Sequence, residues 1–115
     1  MNNLIKKIFT GFSVDGVSIP VKFLYYSGHG EPYITYQLIN EDSSYSGDDE
    51  LLGYAAYYDF DIYSKGDYTN IIKSVKKLLK DNNFLYQPTM SSGDMYETDT
   101  GYYHRTLCFA ALKES

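Results

Sequence analysis

The stretch from Leu51 to Ser64 constrains the fold more than any other part of the chain. Its residues alternate, with Tyr54, Ala56, Tyr58, Phe60 and Ile62 falling on one face and Tyr57, Asp59, Asp61 and Tyr63 on the other. A period of two belongs to a strand, and an apolar set on one side only belongs to a strand whose one face is buried. Such a strand needs a second layer. The following residues supply one: Lys65-Gly66-Asp67 stops the strand, and Ile71, Ile72, Val75, Leu78 and Leu79 then repeat at helical spacing. Lys73, Lys76, Lys77 and Lys80 cover the opposite side of that helix. Asp67 is the expected N-cap, and Asn82-Asn83 suits a left-handed C-terminal cap.

The remaining elements are shorter. Leu4, Ile5, Ile8 and Phe9 share one helical face, which predicts an N-terminal helix over about 3–10. Asp15-Gly16 is a turn, VKFLYY after Pro20 reads as a strand, and PYITYQLI from Pro32 alternates, so a hairpin between these two strands is expected. The segment EDSSYSGDDE, 41–50, has little to bury and is expected to be a flexible acidic loop. FLYQPTM reads as a short strand held to an edge or an end by Pro88. SSGDMYETDTG is polar and turn-rich, and YYHRTLCFAAL is a final strand, apolar on both faces from Leu107 onward and therefore internal. The expected order is α-β-β-β-α-β-β over a single domain, 1–115. The class is α+β, a mainly antiparallel or mixed sheet of about five strands with two helices packed on one face.

The 115-residue chain carries 14 Tyr, 6 Phe and no Trp. Tyrosine favours strands and can put its ring in a core while its hydroxyl stays at a wet edge or an interface. Tyr36, Tyr54 and Tyr58 are expected in the core. Tyr57, Asp59, Asp61, Tyr63, Tyr96 and Tyr102 remain as interface candidates. The net charge of −5 repels nucleic acid and anionic lipid. No apolar run approaches the ~20 residues of a membrane span, and the N-terminus has no signal-peptide pattern, so no membrane partner and a cytosolic origin are expected.

No motif for catalysis emerges. His29 lies between glycines in a turn, and His104 beside Arg105 reads as a polar residue at a sheet edge. Neither histidine has a zinc-ligand spacing, and Asp94, Glu97 and Asp99 lack the spacing and glycine of a calcium loop. Asp59 and Asp61 could pair for acid–base work, but no nucleophile or glycine-rich elbow accompanies them. Phosphate-cradling glycine motifs are absent, and the single Cys108, in an apolar run, reads as a packed thiol. Catalytic, cofactor-binding and metal residues are therefore expected to be none.

Three strings suggest a relationship: PYITYQ (32–37), YYDFDIYSKGDY (57–68) and QPTMSSGDMYETDTGYYHRTLCFA (87–110). They resemble a family of small proteins from the head–tail joining and tail gene region of tailed phages and prophages of Gram-positive bacteria, with the similarity running over about 19–110. The element order resembles the tail-terminator fold. The resemblance implies a structural virion component, not an enzyme. It would form a ring, possibly hexameric, at the head-proximal end of the tail, contacting tail-tube and head–tail connector proteins. It would occupy the host cytoplasm during assembly and the virion tail or neck afterwards. Minor capsid and head-completion proteins of the same gene region are alternatives.

A globule of this size has a radius of gyration of roughly 13 Å, and six such globules in a circle leave a hole wide enough for a DNA duplex. Acidic residues on that hole would let DNA pass without specific binding. Glu41, Asp42, Asp48, Asp49 and Glu50 are the candidates for the lumen. Two rival readings remain: a nucleic-acid-binding module built on the Tyr-rich sheet and the lysine-bearing helix, and a small hydrolase or metal enzyme built on Asp59, Asp61 and His104.

Overall fold

A computed structural model of the chain describes residues 2–28, 31–47 and 50–114. Helix α1 (Asn2–Ile8) places Ile5 and Phe9 in the core and leaves Leu4 exposed. A small antiparallel pair follows, β1 (Ser13–Val14) and β2 (Val17–Ser18), turning over Asp15-Gly16 with both residues at positive φ. The main sheet holds β3 (Val21–Phe23), β4 (Tyr33–Gly47), β5 (Glu50–Ser64), β6 (Leu85–Tyr86), β7 (Met95–Glu97) and β8 (Tyr102–Glu114). Helix α2 (Thr69–Asp81) lies between β5 and β6, and a 3-10 turn, Pro88–Met90, follows β6. The order across the sheet is β3-β4-β5-β8-β6, with β7 also on β8, so the fold is α+β with a mixed sheet of six strands and two helices.

The β5 alternation survives intact. Ala56, Tyr58, Phe60 and Ile62 are buried on the face shared with Ile34 and Tyr36 of β4 and with Leu107, Phe109 and Ala111 of β8. Both helices pack here. Phe9 meets Phe60 at 5.8 Å between ring centroids, Phe109 meets Phe60 edge-on at the same distance, and Val75 and Leu79 of α2 are fully buried. Tyr36 and Tyr58 are core residues as expected, and Tyr54 packs against the cluster from a half-buried position.

The ends of α2 follow the chemistry of its caps. Asn83 takes the left-handed conformation, its N–H reaches the Lys80 carbonyl at 3.0 Å, and the Phe84 N–H reaches the Leu79 carbonyl at 2.9 Å. This pair of bonds, closed by the buried Leu79 and Phe84 side chains, satisfies carbonyls that the helix leaves open. At the other end Tyr68 is the N-cap, one residue later than expected, and its side chain makes no capping bond. Asp67 still serves the helix, accepting the Thr69 N–H at 2.9 Å and its hydroxyl at 2.7 Å.

Four expectations need correction. β3 and β4 form no hairpin but run parallel, Val21 opposite Ile34 and Phe23 opposite Tyr36. The chain leaves β3 at Leu24, which has φ 68° and donates its N–H to the Tyr36 carbonyl, then returns to run beside β3 again. Side-chain alternation is the same in either direction, so the pattern could not distinguish them. Second, the expected loop is paired strand over 41–47 and at Glu50: Glu41 faces Ala56, Asp42 faces Ala55, and Gly47 faces Glu50. Polar residues can occupy a hairpin because the ladder satisfies the backbone regardless of side chain, and irregularities between Leu38 and Asn40 and around Tyr45 absorb the extra residues. Third, the polar 91–101 stretch contains β7. Fourth, the chain is no 13 Å globule: its radius of gyration is 15.2 Å and its extents are 51 × 28 × 24 Å. The β4–β5 arm, flanked by β8, accounts for the long axis.

Candidate functional site: the open face of the sheet

The helices cover one face of the sheet and leave the other without a helical layer, though Thr35, Cys108 and Ala110 on that face are buried. Residues on the open face are set by register: Tyr33, Thr35 and Gln37 of β4; Tyr63, Asp61, Asp59 and Tyr57 of β5; and Tyr102, His104, Thr106, Cys108 and Ala110 of β8. Neighbouring strands lie about 4.8 Å apart, which is the spacing at which planar rings stack. Tyr33, Tyr63 and His104 sit directly across from one another on three adjacent strands, and their rings do stack. The centroids are 4.7 Å apart for Tyr33 and Tyr63 and 4.2 Å for Tyr63 and His104. Tyr26, from the connection after β3, extends the row at 4.8 Å from Tyr33. Tyr102 closes it edge-on to Tyr33 and Tyr63, with the Lys65 ammonium 5.2 Å from its own ring.

The next row is polar. Asp61 Oδ1 accepts the Thr106 hydroxyl at 2.6 Å and lies 3.1 Å from His104 Nε2. Beyond it, Asp59 is bonded by the Cys108 thiol, and its Oδ1 is buried with no hydrogen-bond partner among the described residues. Burial raises the Asp59 carboxyl above the usual carboxylate range, the Asp61 charge adds to this, and the Cys108 bond opposes it. Burial, reinforced by Asp59, pushes the Cys108 thiol up to about 12. Burial, with the charge of Asp61 next, moves the Tyr63 hydroxyl to about 12 as well.

Five of the six sequence-derived interface residues, Tyr57, Asp59, Asp61, Tyr63 and Tyr102, are thus brought onto one face. Tyr96 is not among them. It packs on Tyr103, whose side chain points to the opposite face from Tyr102, with centroids 5.0 Å apart. His104 is no sheet-edge residue, because β5 flanks it on one side and β7 on the other. Sequence reasoning passed over Tyr26, Tyr33 and Thr106. Tyr33 alternates with Ile34 along PYITYQLI, and only the cross-strand register adds that its face is the one Tyr63 shares. His29, Asp48 and Asp49 lie outside the described residues.

Thr106 directs its hydroxyl to the carboxylate and stands 3.5 Å from His104, so the imidazole is not positioned to draw off its proton. The only thiol is buried and held protonated. Among the described residues no three His, Cys, Asp or Glu side chains gather where a metal could be held, and no helix is long and apolar enough to cross a membrane. No family model matches the chain, and a search of curated proteins finds no match.

Proposed function

We propose that this chain is a structural subunit of a phage particle, a tail-completion protein of tail-terminator type that assembles with copies of itself into a ring and joins tail to head. The observation that carries this reading is the pairing of an uncovered aromatic sheet face with an arm that extends past the helix-packed body. Leu38, Ile39 and Leu112, at the root of the arm, are all exposed, at 43%, 39% and 56%. Exposed apolar side chains of this kind suit burial against another protein, and the ring cluster lies on the same sheet toward the other end of β5. The resemblance of the three strings to phage tail-joining proteins supplies the class of partner, tail-tube and connector proteins, and with it residence in the host cytoplasm before assembly and in the tail or neck afterwards.

The stacked row also invites the nucleic-acid reading, but its geometry disfavours it. The Tyr33 and Tyr63 ring faces are already used against each other and against His104, whereas a base-stacking platform needs free faces. Asp59, Asp61 and Glu97 stand on the same face and would repel phosphate.

Electron microscopy of the purified protein, alone and mixed with tail tubes, tests the proposal. Closed rings or capped tube ends are the expected result. A protein that stays monomeric at high concentration and leaves tubes bare sinks it, and binding to heads in place of tubes moves the chain to the head-completion class.

A further inference from the structure

Along one side of α2 runs a groove made of two adjoining cavities, of about 270 and 360 Å³, that share Lys76 as a wall. The first is polar, with Tyr68, Thr69, Lys73, Asp94 and Arg105 around it. The second is apolar, formed by Phe84, Tyr86 and Phe109 with the exposed Lys80 beside them. Thr69, Lys73, Lys76 and Lys80 recur at i, i+4, i+7 and i+11, so α2 turns one largely cationic stripe toward the groove. Tyr86 links the two cavities. Its ring lies under the Lys76 ammonium, 4.3 Å from the centroid, and its hydroxyl is bonded to Ser91 and Arg105. Burial alone would raise this hydroxyl, but Ser91, the Lys76 charge and Arg105 together bring it below the ordinary tyrosine value.

Positive charge at this groove has no counter-ion. Arg105 stands across from the buried Ile62, on the helix-covered side of β8, and is itself half-buried. Its Nε is buried with no hydrogen-bond partner among the described residues. The ion pairs among those residues are Lys77 with Asp81 and His104 with Asp61, and neither involves Lys73, Lys76, Lys80 or Arg105. Asp94, the carboxylate at the groove, accepts the Tyr68 hydroxyl instead. A half-buried cation left unpaired is costly, and an acid brought from outside offsets that cost. The shape of the groove narrows what brings it. From Thr69 to Lys80 the helix advances about 16 Å, the span of an extended segment of about five residues. A small free anion would occupy the polar cavity and leave the apolar one unfilled. In an extended segment, side chains two apart project the same way, so an acid over Arg105 sets the next such residue over the apolar cavity.

We infer that this groove binds an extended segment of a partner protein in which an acidic and an aromatic side chain stand two residues apart. The carboxylate meets Arg105 and Lys73, and the ring enters the slot of Phe84, Tyr86 and Phe109. Arg105 suits the acid because its planar guanidinium matches a carboxylate. This contact is independent of ring formation, so either can fail without the other.

Titration calorimetry with the end-blocked pentapeptide Gly-Glu-Gly-Phe-Gly, at two temperatures so that a vanishing heat at one is not mistaken for no binding, gives the test. One peptide per chain should bind, with a Kd of about 1 mM or tighter that weakens as salt screens the charges. Replacing the peptide's Glu by Gln, or its Phe by Ala, should each weaken binding at least about tenfold. Arg105→Met, which keeps the apolar stem and removes the charge, should do the same. Lys73→Glu with Lys80→Glu, at two exposed positions, should also weaken binding at least about tenfold, and this pair decides the matter if circular dichroism shows Arg105→Met unfolded. No saturable binding at either temperature overturns the inference, as does a Gln or Ala peptide that binds like the parent. A folded variant of either kind that binds like wild type removes the groove as the site. Inorganic phosphate that binds as tightly as the peptide and displaces it makes the groove a simple anion site and rules out the segment.

Discussion

The two faces of the sheet are built from the same three strands and the same residue types, yet they do different things with tyrosine. On the helix side Tyr36 and Tyr58 lose nearly all exposure and act as apolar volume against Phe60, Leu107 and Phe109. On the open side Tyr33 and Tyr63 stay half-buried, stacked on each other and bordered by carboxylates. The difference lies in what covers them. Where helices supply a second layer the ring is buried for its area, and where none exists the rings cover one another. A Tyr-rich composition therefore says little until register assigns each ring to a face.

The largest effect separates the faces directly. Phe60→Ala opens a cavity in the helix-side core and should cost about 3–5 kcal/mol, while Tyr63→Ala, three residues away on the other face, should cost about 1–2 kcal/mol. Urea unfolding measures both, and equal losses would end the distinction. Cys108 probes how tight the open face is. With its thiol buried and pushed up to about 12, it should resist a maleimide at mildly alkaline pH in the native protein and react freely in denaturant. Fast native labelling would mean the Asp59–Cys108 row is loose.

Two carboxylates should respond to pH with opposite sign. Asp59 is raised by burial, so it binds its proton more tightly folded than unfolded, and stability falls as pH rises through its folded value. Asp59→Asn should therefore be more stable than wild type at neutral pH, with the gain vanishing below the ordinary carboxylate range. Asp67 is lowered by its bonds from Thr69, so its contribution is present at neutral pH and lost on acidification. Asp67→Asn should be slightly less stable at neutral pH and indistinguishable from wild type in acid. Thermal midpoints across a pH series check both, and Asp67 should show the smaller change because it is fully exposed.

Strand β5 and helix α2 were legible because each buries one face, which imposes a period on the residues themselves. The direction of β3 was not, since parallel and antiparallel strands share that period. The acidic arm was misread because its strand character rests on backbone pairing, to which composition is nearly blind, and β7 was missed for the same reason. Of the open face, the sequence marked Tyr57, Asp59, Asp61 and Tyr63 by alternation alone. Tyr26 and Thr106 join them only through contacts between distant segments, which no local pattern encodes.

The parallel join of β3 to β4 and the late arrival of β8 bear on how the chain finds this structure. β4 and β5 are consecutive and can zip together as a local hairpin, a microsecond event. The second edge of β5 must wait for β8, whose pairing with it spans α2, β6 and β7. Closing that long segment is an entropic barrier that raises contact order and slows folding. A β4–β5 hairpin not yet joined by β8 leaves Tyr57, Tyr58, Phe60 and Tyr63 uncovered along that edge, so rings destined for the core and rings destined for the open face are exposed together until β8 pairs, which raises the aggregation risk.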